Sequence, residues 1–176
     1  GLVGSEMCIR DSAYVGNFYD SAAGKDMALT QYQNGADVGF NVAGSAGLGQ
    51  IEAAVDAKRY AFGVDSDQAA VLPDYAANIP TSALKNVGNS LVRAIKEDME
   101  GNLAYGTLEY LGLADGGVEL VEDEHYEETV PEDIRTKVEE LKQDIIDGKI
   151  TVPTTLGDDA MSPDDVQALI DSAKLS

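Results

Sequence analysis

Residues 36–68 decide the fold, and they read ADVGFNVAGSAGLGQIEAAVDAKRYAFGVDSDQ. An apolar run at residues 36–43 is followed by residues 47–58, in which apolar side chains recur at helical spacing. A second apolar run, at residues 60–64, predicts another strand and ends at the polar string of residues 65–68. Two buried strands joined by a helix of about a dozen residues are typical of a parallel sheet with crossover helices. The stretch therefore predicts an α/β protein.

The same alternation continues on both sides of this stretch. Further helices are predicted at residues 24–34, 88–100, 131–147 and 162–173. Further extended segments are predicted at residues 14–18, 81–84, 103–113, 117–121 and 150–152. The helix at residues 88–100 carries an apolar stripe of Leu91, Ile95 and Met99. The pattern predicts a parallel sheet flanked by helices.

Charge limits the partners of this chain. Its 176 residues include 12 basic and 32 acidic side chains, which give a net charge of −20. Such a charge repels phosphate backbones and anionic lipid headgroups, so neither nucleic acid nor a membrane surface is expected as a partner. The excess of carboxylates is explained either by solubility or by a salt-rich habitat, and composition does not separate the two.

The first residues differ in character from the rest of the chain. Residues 7–12, MCIRDS, resemble the translated end of a transposon-type sequencing adapter. We therefore interpret residues 1–12 as a non-native segment, which implies that a natural upstream part of the gene has been lost. Cys8 lies in this segment and, as the only cysteine, has no partner for an internal disulfide.

The inventory of reactive side chains argues against an enzyme. The single histidine, His125, lies in an acidic stretch and is predicted to be a solvated loop residue. One histidine supports neither a His-rich metal site nor a His-dependent catalytic triad, and we expect no catalytic residue, metal or cofactor. Residues 44–49, GSAGLG, follow a strand and open a helix, but their glycines lack dinucleotide-fingerprint spacing. A Rossmann-like cofactor-binding enzyme domain therefore remains the alternative.

The predicted strand ends carry a candidate binding site. Ligands of open α/β sheets sit outside the carboxyl ends of the strands. Three of those ends carry Phe18, Gly44 and Asp65. An aromatic ring can stack on a base, and a carboxylate can accept two vicinal hydroxyl hydrogens, which together suit a polyol joined to a ring. Core packing for Phe18, and a turn or helix cap for Asp65, are the structural alternatives.

An ordered set of strings carries a family resemblance over residues 13–155. The set comprises GNFYDSAAGK at residues 16–25, AGSAGLG at 43–49, YAFGVDSDQ at 60–68, TSALKNV at 81–87 and GKITVP at 148–153. These strings resemble those of the basic-membrane-protein (BMP) family. Its members are lipid-anchored receptors of ABC importers with a two-lobed, type I periplasmic-binding-protein fold, and its characterised members bind purine nucleosides.

The resemblance implies roles for four residues. Asp65 is expected to hold the ribose hydroxyls, and Lys85 to make a second polar contact with the ribose. Gly44 is expected to let the backbone approach the ligand. Phe18 is expected to form one wall of the cleft beside the base.

The resemblance also implies an organisation and a cellular setting. Residues 13–155 would form the C-terminal lobe, with residues 81–113 contributing to a second lobe, and residues 156–176 would form a tail with a short helix. The partners would be a nucleoside and an ABC permease and ATPase complex. The intact protein would be extracytoplasmic and held at the membrane by a lipid on its missing N-terminus. A sugar-sensing regulator with a DNA-binding head is a further alternative.

Overall fold

A four-stranded sheet organises the part of the chain that the structure, a computed structural model, describes: residues 12–154, 160–166 and 168. Its strands are β1 (Val38–Phe40), β2 (Tyr60–Asp65), β3 (Ser82–Lys85) and β4 (Val118–Leu120). The helices are α1 (Ser21–Gln33), α2 (Gly47–Ala57), α3 (Gln68–Val71), α4 (Val87–Met99), α5 (Glu124–Thr129) and α6 (Glu132–Ile146). Short 3₁₀ segments occupy Gly44–Ala46 and Pro73–Asn78.

The strands lie in the order β1-β2-β3-β4. β1 pairs in parallel with β2, and β2 in parallel with β3, whereas β4 runs antiparallel to β3. The predicted α/β fold with a parallel sheet and crossover helices is therefore confirmed, with one antiparallel strand added at the edge.

The core lies between the sheet and the helices α1 and α2. It is built from Ala28, Tyr32, Ile51, Ala53, Ala54, Ala61 and Ile79. The lack of a side chain at Gly49 lets the two helices approach closely. A Cβ atom added there would overlap the Ser21 carbonyl oxygen and lie 2.6 Å from the Lys25 amide nitrogen. Tyr32 donates a hydrogen bond of 2.8 Å to the Tyr60 carbonyl, and its burial raises its pKa to about 12.

Helix α4 stands apart from this core. It has no buried residue, and the three side chains of its apolar stripe, Leu91, Ile95 and Met99, are 61%, 60% and 82% exposed. The segment that contains α4 leaves the sheet at Asn86 and returns at Gly117, where the Asn86 amide donates to the Gly117 carbonyl at 2.9 Å. The apolar stripe of α4 is therefore uncovered in the described part of the chain. The assignment of residues 81–113 to a second lobe stays a prediction.

Three predicted strands are wrong, because local hydrogen bonding or turn geometry replaces the ladder. At residues 14–18 the chain bends, and the Asn17 side chain accepts hydrogen bonds from the Tyr19 and Asp20 amides. Residues 103–113 are irregular, with a turn at Gly106, where φ is +76°. Residues 150–152 are also irregular, because the Ile150 amide is bonded to a carbonyl near the end of α6.

The two ends of the chain are described only in part. Residues 163–166 and 168 are helical, and Ser162 caps them by accepting a bond from the Asp165 amide at 3.2 Å. The rest of the helix predicted at residues 162–173 lies outside the described residues, as do residues 1–11 of the segment interpreted as non-native. In the described part of the chain, no helix combines the length and apolarity needed to cross a bilayer.

Candidate functional site

The carboxyl ends of β1, β2 and β3 meet at one edge of the sheet. The parallel registers pair Phe40 with Phe62 and Asp65 with Leu84, so the segments that follow these strands leave the sheet on the same side. This is the edge at which open α/β sheets bind ligands. The four residues expected at the site are in segments that end or turn at this edge: Phe18, Gly44, Asp65 and Lys85.

Phe18 and Gly44 are brought together at this edge. The Ala46 amide donates to the Phe18 carbonyl at 3.2 Å, which ties residue 18 to the turn after β1 although residues 14–18 form no strand. Gly44 has φ of +56°, and a Cβ atom there would lie 3.0 Å from the Phe18 carbonyl oxygen. Phe18 is 71% exposed, so core packing does not explain it.

Asp65 and Lys85 form a second pair, at the ends of β2 and β3. The Lys85 Nζ atom lies 2.8 Å from Asp65 Oδ1, and both side chains are more than half exposed. Asp65 has φ of +67°, a left-handed backbone conformation that non-glycine residues seldom adopt. The helix-cap alternative for Asp65 is not what the structure shows, because Asp67 caps α3 by accepting from the Ala70 amide at 3.2 Å.

The two pairs supply complementary chemistry, one at the turn after β1 and the other at the ends of β2 and β3. Asp65 and Lys85 offer a hydrogen-bond acceptor and a donor side by side, which suits a group with adjacent hydroxyls. Phe18 offers an exposed ring face, and the lack of a side chain at Gly44 lets Phe18 pack against the turn after β1.

A buried asparagine, missed by the sequence interpretation, supports the turn after β1. Asn41 is only 5% exposed and donates to the Phe62 carbonyl at 3.2 Å, linking the end of β1 to β2. Its side chain also packs against Gly47, where a Cβ atom would overlap Asn41 Oδ1. A polar residue within the apolar run at residues 36–43 was the available signal, since a buried amide requires a partner.

The glycines at residues 44–49 serve packing in this structure. Gly47 accommodates Asn41, and Gly49 accommodates the start of α1. Gly44 accommodates Phe18, whose side-chain Cβ would lie 3.3 Å from a Cβ atom added at Gly44. These contacts weaken the alternative of a phosphate-binding turn in a Rossmann-like enzyme.

His125 is not the solvated loop residue that we predicted. It lies in α5, and its Nε2 atom is 3.0 Å from the Ala76 carbonyl and 3.1 Å from the Ile79 carbonyl. His125 therefore joins α5 to the 3₁₀ segment that precedes β3. Within the described ranges, no cluster of His, Cys, Asp and Glu side chains is arranged to hold a metal ion.

Comparisons with known proteins identify the family of this chain. A model of the Bmp family, described as ABC transporter substrate-binding protein PnrA-like, matches residues 9–155. Basic membrane protein D of Borreliella burgdorferi (strain JD1) is 37% identical over 145 residues, which cover 81% of this chain and 41% of that protein. The ABC transporter nucleoside-binding protein BmpA of Lactococcus lactis subsp. cremoris is 33% identical, over 82% of this chain and 44% of that protein.

A solved structure supports the fold. The crystal structure of an ABC transporter system solute-binding protein from Aeropyrum pernix K1 superposes with a TM-score of 0.70 at 28% identity, covering 93% of this chain and 51% of that one. The chain thus spans about half the length of the relatives that it matches. The family match favours substrate binding over the Rossmann-like enzyme alternative. The chain belongs to the PnrA-like (Bmp) family of ABC transporter substrate-binding proteins.

Proposed function

We propose that this chain is the C-terminal lobe of a receptor that captures a nucleoside for an ABC importer, without catalysing a reaction. The observation that carries the proposal is the Asp65–Lys85 pair at the carboxyl edge of the sheet, beside the strand that ends in Phe40 and its Gly44 turn. The name of the Lactococcus lactis relative, a nucleoside-binding protein of an ABC transporter, supports the ligand class.

The polar pair is suited to the ribose. The Asp65 carboxylate accepts the hydrogens of the vicinal hydroxyls, and the Lys85 ammonium donates to a hydroxyl oxygen. Because both side chains are exposed, the ligand replaces water and adjusts a solvated ion pair instead of breaking a buried one. Because the two charges of the pair balance each other, the group that it recognises is a neutral diol.

The apolar pair is suited to the base. The exposed ring of Phe18 provides a stacking face, and Gly44 keeps the turn after β1 free of a side chain. A purine is the favoured base, as the family resemblance implies.

A second lobe completes the site in this proposal. The described residues form one open wall, whereas small-molecule sites bury most of their ligand. The segment from Asn86 to Gly117 would contribute to that lobe, with the exposed stripe of α4 as part of the contact. We therefore expect the 176-residue chain alone to bind nucleosides more weakly than micromolar.

The cellular setting follows from the same family membership. The receptor would deliver its nucleoside to a permease and ATPase complex from outside the cytoplasm, and a lipid anchor on a segment upstream of this chain would hold it at the membrane. The net charge of −20 argues against nucleic acid as a partner.

A titration with inosine tests the proposal. Heteronuclear NMR detects weak binding, so the chain itself can be used at millimolar inosine. We expect saturable binding that weakens about tenfold or more in Asp65→Asn, because the carboxylate makes charge-assisted bonds to the diol. Asp133→Asn, an exposed carboxylate of α6, is the matched control and should bind like the wild type. Equal binding by wild type and Asp65→Asn would refute the assigned role, and no binding by any variant would refute the ligand class.

A further inference from the structure

The backbone at Asp65 is held in an unusual turn. Asp65 has φ of +67°, and the Ser66 amide donates to the Val64 carbonyl at 2.8 Å across it. This three-residue turn bends the chain at the last residue of β2 and directs the Asp65 side chain towards Lys85. Such sparsely populated conformations persist only where the surrounding structure over-determines them.

A glutamine supplies part of that support. The Gln68 side-chain oxygen Oε1 accepts a hydrogen bond from the Val64 amide at 3.2 Å, immediately before the turn. The Gln68 backbone amide donates in turn to Ser82 Oγ at 3.1 Å. Ser82 is fully buried, in the first position of β3, so Gln68 is fastened to the neighbouring strand.

The space for this arrangement comes from a glycine. A Cβ atom at Gly63 would overlap Ser82 Oγ and lie 2.9 Å from the Gln68 Cβ atom. The absence of a side chain at Gly63 therefore lets Gln68 and Ser82 pack directly against β2. The three residues form a support beneath the turn that carries Asp65.

We propose that Gln68 is a positioning residue for Asp65. It acts through the Val64 amide and fixes the turn that presents the carboxylate, without contacting the ligand itself. The importance of this support for nucleoside capture rests on the proposed function, whereas its effect on the turn does not.

Gln68→Met removes the acceptor and keeps the length of the side chain. We expect hydrogen exchange of the Val64 and Ser66 amides to accelerate about tenfold, the effect of losing one ordinary hydrogen bond. The three-bond coupling of the Asp65 amide, which reports φ, should move away from its wild-type value. Gln68→Glu keeps an acceptor oxygen and should preserve both readouts. Gln143→Met, which removes a side-chain hydrogen bond from α6 to its C-cap residue Asp147, is the matched control.

The inosine titration adds a second readout. Gln68→Met should weaken binding several-fold in the wild-type background but change it less than twofold in the Asp65→Asn background, because its effect passes through that carboxylate. Unchanged exchange and coupling in Gln68→Met would overturn the inference, as would exchange that rises equally at the core amides of Ile51 and Ala61. If the wild type binds no inosine, the proposed function fails, and the exchange and coupling still decide whether Gln68 positions the turn.

Discussion

Replacing Asp65 with glycine should separate stability from binding. The left-handed backbone at Asp65, with φ of +67°, costs a non-glycine residue about 1–2 kcal/mol, and glycine removes that cost. The lost ion pair with Lys85 is solvent-exposed and contributes about 0.2–1 kcal/mol. Glycine also makes the unfolded chain more flexible, at about 0.4–1 kcal/mol. We therefore expect Asp65→Gly to change the free energy of unfolding by less than about 1 kcal/mol in either direction while abolishing the inosine response.

A second left-handed residue provides the control. Lys58 ends α2 with φ of 54°, and its backbone amide bonds to the Ala54 and Val55 carbonyls. Lys58→Gly should also leave the chain as stable or more stable, because glycine is favoured at such helix ends, and should leave inosine binding unchanged. Urea unfolding of the three proteins measures the free energies. A loss of more than about 2 kcal/mol in Asp65→Gly would refute the reasoning, because it would mean that Asp65 serves the fold and not the site.

Three other predictions follow from the packing and charge of the chain. Gly49→Ala should destabilise the fold by about 1–3 kcal/mol, since its Cβ would meet the backbone of α1, whereas Gly88→Ala, with nothing within 4 Å, should be neutral or slightly stabilising in the same urea assay. The pKa of Tyr32 is raised from 10.0 to about 12, so this residue should contribute stability that is present below pH 10 and lost as the pH rises towards 12. In melting experiments a Tyr32→Phe variant should lack this alkaline loss, and a pH profile identical to that of the wild type would contradict the burial argument. Raising the salt concentration should increase the melting temperature, because screening relieves repulsion among an excess of carboxylates that gives a net charge of −20, and a lower melting temperature in salt would show that ion pairs dominate.

The sequence was most informative where burial and helical period agree. The helix predicted at residues 47–58 is α2, and the strand predicted at residues 60–64 is β2, extended by one residue to Asp65. Both elements belong to the core, where the apolar pattern reports directly on packing. The alternation of strand, helix and strand then predicted the parallel pairing of β1 with β2.

The strand predictions failed in segments that, in the described part of the chain, have no neighbouring strand to pair with. Residues 103–113 are apolar enough for a strand, but local pattern does not encode pairing. These residues are instead irregular, and Glu109 among them bonds to Arg93 of α4. At residues 14–18 the Asn17 side chain captures two backbone amides and bends the chain. Short-range hydrogen bonds of this kind outweigh β-propensity in an unpaired segment.

The candidate site was predictable in outline but not in its support. Gly44 and Asp65 were chosen as candidates because they follow apolar runs, and Lys85 was chosen only through the family resemblance. The contacts of Gln68 and His125 were missed. The Gln68 side chain bonds to the Val64 amide, its own amide bonds to a residue 14 positions away, and His125 lies beside carbonyls 46 and 49 positions away. Such contacts arise from the tertiary fold and leave no local period.

In our proposal, the carboxyl edge of the sheet binds a ribose diol through Asp65. The most direct test compares NMR titrations of this chain with inosine, with dideoxyinosine, which lacks the vicinal hydroxyls, and with the free base hypoxanthine. Our account predicts that inosine shifts the amide signals of Gly44, Asp65 and Lys85 and that the other two compounds shift the Asp65 and Lys85 signals far less. Equal shifts with inosine and dideoxyinosine, or inosine shifts confined to residues away from this edge, would contradict it.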